Sequence, residues 1–151
     1  MEFYEYVLRL AIAAIAGLLI GFERQWHNKS AGLRTNSLVA IGSAAYVLLS
    51  IQLTQQSGDV TRIIGQVVTG IGFLGAGIIF KEGVNVHGLT TAATVWCSSA
   101  VGSIAAAGFY PEALTTAAFI IAINSLMMPL DKYLRNRKSN QNVESGAEHK
   151  S

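Results

Sequence analysis

The residues best suited to chemistry in this sequence are a run of glycines, three histidines, one cysteine and a few clustered charges. Gly70-Ile-Gly72-Phe-Leu-Gly75-Ala-Gly77 has the G-x-G-x-x-G spacing that cradles a dinucleotide pyrophosphate. That use requires a preceding strand and a βαβ unit. Here the glycines lie inside an apolar stretch, so nucleotide binding is not expected. His27, His87 and His149 show no metal-ligand spacing and read as surface histidines. Cys97 is the only cysteine, which excludes an internal disulfide and a cysteine-ligated zinc cluster. No basic neighbour is expected beside it to favour the thiolate a nucleophile needs. With no Ser/His/Asp pattern either, the chain reads as non-enzymatic, with no cofactor and no resident metal.

The acids support the same reading. A Mg²⁺ site draws on one or two carboxylates with retained waters, and intramembrane charge is rare because it is costly. Glu23 falls at the end of an apolar stretch, while Asp59, Glu82 and Glu112 fall in connections. The polar residues expected at depth are Gln66, Thr69, Ser98, Ser99 and Asn124, all suited to hydrogen bonding with neighbouring helices. This argues against a conventional ion pump. The rival reading is a Mg²⁺ or small-solute transporter or channel built on Gln66, Thr69 and Asn124.

These residues must be positioned by a membrane fold. Of 151 residues 51% are hydrophobic and only 13% charged, against about 25% charged in soluble domains. A net charge of +2 gives no footprint for nucleic acid. Five apolar stretches stand out, at about 3–22, 35–53, 63–80, 90–108 and 111–130. Each is about 18–20 residues long, enough at about 1.5 Å per residue to cross a hydrocarbon layer. The expectation is an all-α polytopic protein with about five transmembrane helices over residues 1–130, followed by a basic juxtamembrane segment and a disordered tail in 131–151. The leading segment of the first stretch carries Glu2 and Glu5 with no Lys or Arg, and no cleavage site is convincing, so it reads as a retained span. Arg9, inside that span, is expected to reach back to the interface along its own stem.

Orientation follows from Lys and Arg. Arg24, Lys29 and Arg34 fall in the first connection, Lys81 in the third, and Lys132, Arg135, Arg137, Lys138 and Lys150 in the tail. The bias puts the N-terminus outside and the C-terminus in the cytoplasm. The basic cluster after the fifth span is expected to lie against anionic headgroups.

Small residues set the expected packing, because close backbone approach holds membrane helices together. In the third span Gly65, Thr69, Gly72 and Ala76 share one face, and Gly70 and Gly77 another. Two smooth faces would place this helix at the centre of the bundle. Gly17-x-x-x-Gly21 gives the first span a groove, and the fourth span is small-faced through Ala93, Cys97, Ser98, Ala100, Gly102 and Ala105. Whether these grooves meet each other, a second copy or another protein is left open. The first connection, Glu23 to Asn36, is the densest polar cluster. It reads as a clasp, with a Glu23–Arg34 charge pair, Trp26 as interfacial anchor, Gly32 for the turn and Thr35 or Asn36 as helix cap, or as a docking surface.

GLLIGFERQW at Gly17–Trp26, AGLRTNSLVAIGS at Ala31–Ser43 and GIGFLGAGIIFKEGVNVHGLTTAATVWCSSA at Gly70–Ala100 together resemble the MgtC/SapB family of bacterial membrane proteins. The resemblance covers about Tyr4 to Leu130. It implies a multi-pass inner-membrane protein linked to Mg²⁺ homeostasis, growth in low Mg²⁺ and, in pathogens, survival in macrophages. It also implies action on a membrane partner, either the ATP synthase or a small regulatory membrane peptide, with homo-oligomerisation open. The matching positions implied to be functional are Glu23, Arg24, Arg34, Thr35, Asn36, Asn85, Trp96 and Cys97, beside the glycines Gly70, Gly72, Gly75 and Gly77. Two features depart from longer family members: this chain stops before their ACT-like C-terminal domain, and Thr90 stands where some have Asn. Thr90 is expected to cap the fourth helix.

Overall fold

The computed structural model describes residues 1–54 and 59–148, with side chains described through Leu130 and at Tyr133. His149 and Lys150 lie outside the described residues, as do the side chains of Lys132, Arg135, Arg137 and Lys138. The chain forms α1 (Phe3–Trp26), α2 (Leu33–Leu53), α3 (Val60–Ile78), β1 (Phe80–Glu82), β2 (Asn85–His87), α4 (Leu89–Ala106) and α5 (Tyr110–Glu148). Five of these elements are helices long and apolar enough to cross a membrane, α5 through its segment Tyr110–Leu130. Such helices satisfy their own backbone hydrogen bonds, which is the condition for life in lipid.

The helix ends depart from the expected ones in instructive ways. α1 runs past Phe22 to Trp26, so Glu23 and Arg24 sit on its last turn, inside the helix. The chain then reverses through left-handed residues, Asn28 at φ 52° and Ala31 at φ 58°. Gly32 is not left-handed (φ −82°); it is the N-cap of α2, and no side chain caps that helix. Thr35 and Asn36 therefore lie inside α2 and cannot be its caps. The helix of α5 continues to Glu148, where the sequence reading expects disorder from about Asn136. This polar stretch closes its hydrogen bonds locally and needs no apolar face to do so. Between α3 and α4 an antiparallel hairpin pairs Phe80 with His87 and Glu82 with Asn85, an element the sequence reading treats only as a connection.

The centre of the bundle is α4, which packs on α1, α2, α3 and α5. This overturns the central place expected for α3, where only Ile71 and Gly75 are buried. Ten residues of α4 are buried, including Thr91, Thr94, Ser98, Ser99, Gly102 and Ala105. Their small side chains let four neighbours approach. Phe73 and Leu74, by contrast, keep α3 bulky and exposed on one side. The core is correspondingly fine-grained, with Ala13, Ala16 and Ile20 against Ala44, Val47, Leu48, Val101, Ala105 and Ala117.

Two glycine contacts fix the closest approaches. A Cβ on Gly102 would strike the carbonyl of Ala40, so α4 and α2 touch backbone to backbone there. A Cβ on Gly17 would come 2.8 Å from the Asn36 carbonyl and 2.9 Å from the Ala40 side chain, so the Gly17-x-x-x-Gly21 groove is filled by α2 of the same chain.

Arg9 does not simply reach for the interface. Its Nη1 donates to the carbonyl of Ala106 at 2.8 Å, at the end of α4. A helix C-terminus leaves its last carbonyls unpaired and carries partial negative charge, and a guanidinium answers both.

Candidate functional site

The last turn of α1, the first turns of α4 and the middle of α5 bring a set of buried polar side chains together at one end of the bundle. Glu23 is 6% exposed and Arg24 2%, so the charges expected on a surface turn are buried. They point to different partners. Arg24 Nη2 donates to Thr91 Oγ1 at 2.9 Å. Asn124 Nδ2 donates to Glu23 Oε2, 101 residues earlier in the chain, at 3.2 Å. The same Asn124 amide lies 3.4 Å from Thr94 Oγ1, which in turn donates to the Thr90 carbonyl at 2.9 Å. His27 Nδ1 sits 3.0 Å from Glu23 Oε1 and 2.9 Å from the Glu23 carbonyl. A single Nδ1–H directed at the carbonyl leaves Oε1 without a hydrogen-bond donor among the described residues.

A second buried seam runs along α2 and α4. Ser98 Oγ donates to Asn36 Oδ1 at 2.8 Å, while Asn36 Nδ2 donates to the Ala31 and Gly32 carbonyls ahead of α2. Deeper in the bundle, the Ser43 and Ser99 hydroxyls share a hydrogen bond of 2.7 Å. Buried polar groups cost least when paired, and these pairs tie α4 to α2 where no hydrophobic drive acts between helices. Ser98, Ser99 and Asn124 thus bond neighbouring helices, as their depth in the sequence implies.

The remaining candidates are scattered. The expected Glu23–Arg34 pair does not form, because Arg34 is exposed on α2 while Glu23 is turned toward α5. Thr35 is exposed, and so is Asn85 in the hairpin. Thr90 lies in the first turn of α4 but does not cap it; the N-cap is Gly88, at φ 87°. The Ile78 carbonyl leaves no room for a Cβ on Gly88, so glycine is required there twice over, for its backbone angle and for space. Trp96 is 49% exposed on the outer face of α4, and Cys97 is half-buried beside it. Trp26 is exposed at the end of α1, within stacking range of Phe22.

Gln66, Thr69 and Asn124 do not gather into one path. Gln66 lines clefts between α2 and α3, Asn124 lines a cleft beside α4 and α5, and Thr69 donates to the Gly65 carbonyl of its own helix. Among the described residues no three His, Cys, Asp or Glu side chains converge in a way that could hold a metal ion.

The glycines of α3 have a different fate from those of α1 and α4. Among the described residues Gly65, Gly70, Gly72 and Gly77 have no neighbour within 4 Å of the position a Cβ would occupy, and Gly75 meets only the Ala92 methyl at 3.8 Å. Gly65, Thr69, Gly72 and Ala76 are all exposed, forming a smooth outward face. Gly70 faces instead into an apolar groove of about 540 Å³ between α3 and α2, opposite Gly42, whose Cβ position is also empty. Open small-residue seams of this kind let another helix approach closely.

Sequence reasoning missed Thr91, which takes Arg24 as its partner, and Gly88, which sets the start of α4. A hydroxyl near the apolar start of a span carries no signal of its partner. The glycine before Leu89 did carry one, as a break between the hairpin and the helix.

Comparison with known proteins agrees with this architecture. The profile of the MgtC family matches residues 10–133. Protein MgtC of Brucella abortus is 55% identical over 125 residues, covering 83% of this chain and 52% of that protein. Protein MgtC of Salmonella typhimurium is 47% identical over 127 residues, covering 84% and 54%. An uncharacterized protein of Synechocystis sp. is 46% identical over 137 residues, covering 91% and 58%. The chain thus spans little more than half the length of the curated relatives it matches. No solved structure matches. With its five apolar helices and a family match across nearly all of them, the chain is a multi-pass membrane protein and belongs to the MgtC family.

Proposed function

We propose that this chain is a non-enzymatic regulatory protein of the bacterial inner membrane that acts by helix–helix contact with another membrane complex. The observation that carries the reading is the open glycine face of α3. The seams on α1 and α4 are filled inside the chain, whereas Gly65 and Gly72 meet nothing among the described residues. Kinship with proteins named MgtC supports a role in Mg²⁺ homeostasis and growth in low Mg²⁺, and in pathogens a part in survival inside macrophages. The family resemblance points to the proton-driven ATP synthase or a small regulatory membrane peptide as partner, with a second copy of the chain as the other occupant of the face.

The test is a photoreactive residue at position 72, crosslinked in native membranes, beside the variant Gly72→Leu. Among the described residues nothing lies within 4 Å of a Cβ there, so leucine is expected to disturb no contact between them. The expected result is one crosslinked membrane partner that is lost from Gly72→Leu while insertion and folding persist. Unchanged partner recovery overturns the reading.

One observation favours transport as a second reading. Gln66 stands where two clefts between α2 and α3 adjoin, one of them reaching Asp59 and Arg62 at the helix end. Ion flux through purified protein in liposomes, abolished by Gln66→Leu, would establish it; flux-free vesicles would end it.

A further inference from the structure

Where the α1–α2 connection, the hairpin, the start of α4 and the middle of α5 meet, the bundle end holds a cleft of about 710 Å³. Arg24, Lys29, Ser30 and His87 line its polar wall, and no carboxylate lines it among the residues whose side chains are described. Arg24 is 2% exposed, and one guanidinium donor, Nε, has no hydrogen-bond acceptor among the described residues. A buried N–H left without an acceptor is costly, so a group that accepts from it stabilises the site.

The start of α4 adds donors of its own. Gly88 offers no side chain to cap the helix, and the first turn carries no acid. The amides of that turn are therefore left for an outside acceptor, at the end of the helix that carries partial positive charge. Lys29 is exposed at the rim. Glu23, the acid next to Arg24 in sequence, accepts from Asn124 through Oε2 and does not line the cleft.

An orphaned guanidinium N–H, an ammonium and an uncapped helix start together select an oxyanion with several acceptor oxygens. Ile123 and Met127 on α5 continue the cleft as an apolar wall. That combination suits a phosphate carried on acyl chains, and the same donors would accept a free phosphate. We propose that this cleft is a phosphate-binding site, formed by Arg24, Lys29 and the first turn of α4. It is separate from the α3 face that carries the proposed regulatory contact, so either can fail without the other.

The full chain, purified in detergent, is followed by thermal unfolding in the presence of short-chain phosphatidylglycerol, diacylglycerol of the same chain length, or inorganic phosphate. The phosphatidylglycerol arm is expected to raise the midpoint saturably where diacylglycerol does not. Inorganic phosphate acting alone to the same extent would assign the site to free phosphate; inert phosphate with active phosphatidylglycerol would assign it to the lipid. Lys29→Gln is expected to weaken the apparent affinity about tenfold, the effect of losing one charge-assisted bond. Because Lys29 is exposed, its loss leaves the fold unchanged, whereas Arg24→Gln also removes the tie to Thr91. Equal stabilisation by diacylglycerol and phosphatidylglycerol with phosphate inert, or an unchanged affinity in Lys29→Gln, overturns the proposal.

Discussion

At the residue scale, the hydroxyls of α4 work in unequal ways, and mutation separates them. Ser98 Oγ is the hydrogen-bond donor to a fully buried Asn36 Oδ1. Ser98→Ala leaves that oxygen unpaired, at an expected cost of about 1–2 kcal/mol in unfolding measured in detergent. Ser99→Ala is milder, because the released Ser43 hydroxyl can turn to a carbonyl of its own helix. Equal losses from the two variants would contradict the distinction. Asp59 is the second case. Its carboxylate accepts from the Thr61 hydroxyl at 2.6 Å and the Thr61 amide at 2.9 Å, and these bonds hold its pKa below the ordinary aspartate value. A pKa lowered by folding contributes stability that is complete above the unfolded value, about 3.9. It is lost as pH falls through the lower folded value. The expected outcome is that Asp59→Asn lowers stability slightly at neutral pH and flattens the acid limb of the stability curve, so that the two proteins converge in acid; hydrogen exchange at the start of α3 would report it. These bonds were only partly legible in the sequence. An Asp two residues before Thr61 and ahead of an apolar run is a cap signal. Nothing local tells that Asn124 will meet Glu23, because the partners are joined only by the crossing of α1 and α5.

At the element scale, the five spans were legible because each is a long apolar run, and lipid leaves such a run no alternative to helix. Which span sits in the middle was not legible. Glycine content points to α3, yet the helix with most neighbours is α4, whose small residues are mixed with Ser and Thr that bond across. A glycine seam marks where a backbone can be approached, and says nothing of whether the approaching helix belongs to the same chain. The contrast makes a prediction. Gly102→Leu would force α4 away from the Ala40 carbonyl, and at least about 3 kcal/mol of strain and lost packing is expected, with poor accumulation in membranes. Gly72→Leu, on open α3, is expected to leave thermal stability within about 0.5 kcal/mol of the parent. Matching damage from the two substitutions would show that α3 is packed inside the chain after all. The hairpin escaped sequence reading for a related reason: its six paired residues are all exposed, so no alternation of polar and apolar residues betrays it.

At the scale of the whole molecule, the two ends of the bundle differ in how they handle positive charge, and that difference argues for one orientation. The end built from the α1–α2 connection and the hairpin carries Arg24, Lys29, Arg34 and Lys81. The hydrogen bonds of Arg24 and Ser30 to Thr91 hold the connection against α4, so these charges belong to one face of one body. At the opposite end Arg9 is bound to the Ala106 carbonyl, which leaves Arg62 as the other basic residue there among the described ones. Basic residues in short connections are retained on the cytoplasmic side, so the first end is expected to face the cytoplasm and the N-terminus to face outward. Replacing Cys97 with Ser gives a background free of cysteine, since the chain has no other. Single cysteines at Asn85, exposed in the hairpin, and at Glu112, exposed in the first turn of α5, then report on the two ends. With a membrane-impermeant maleimide and sealed cells, Glu112→Cys is expected to be labelled at once, and Asn85→Cys only after the membrane is opened. The reverse pattern would invert the bundle, and the phosphate cleft would then face the outer leaflet.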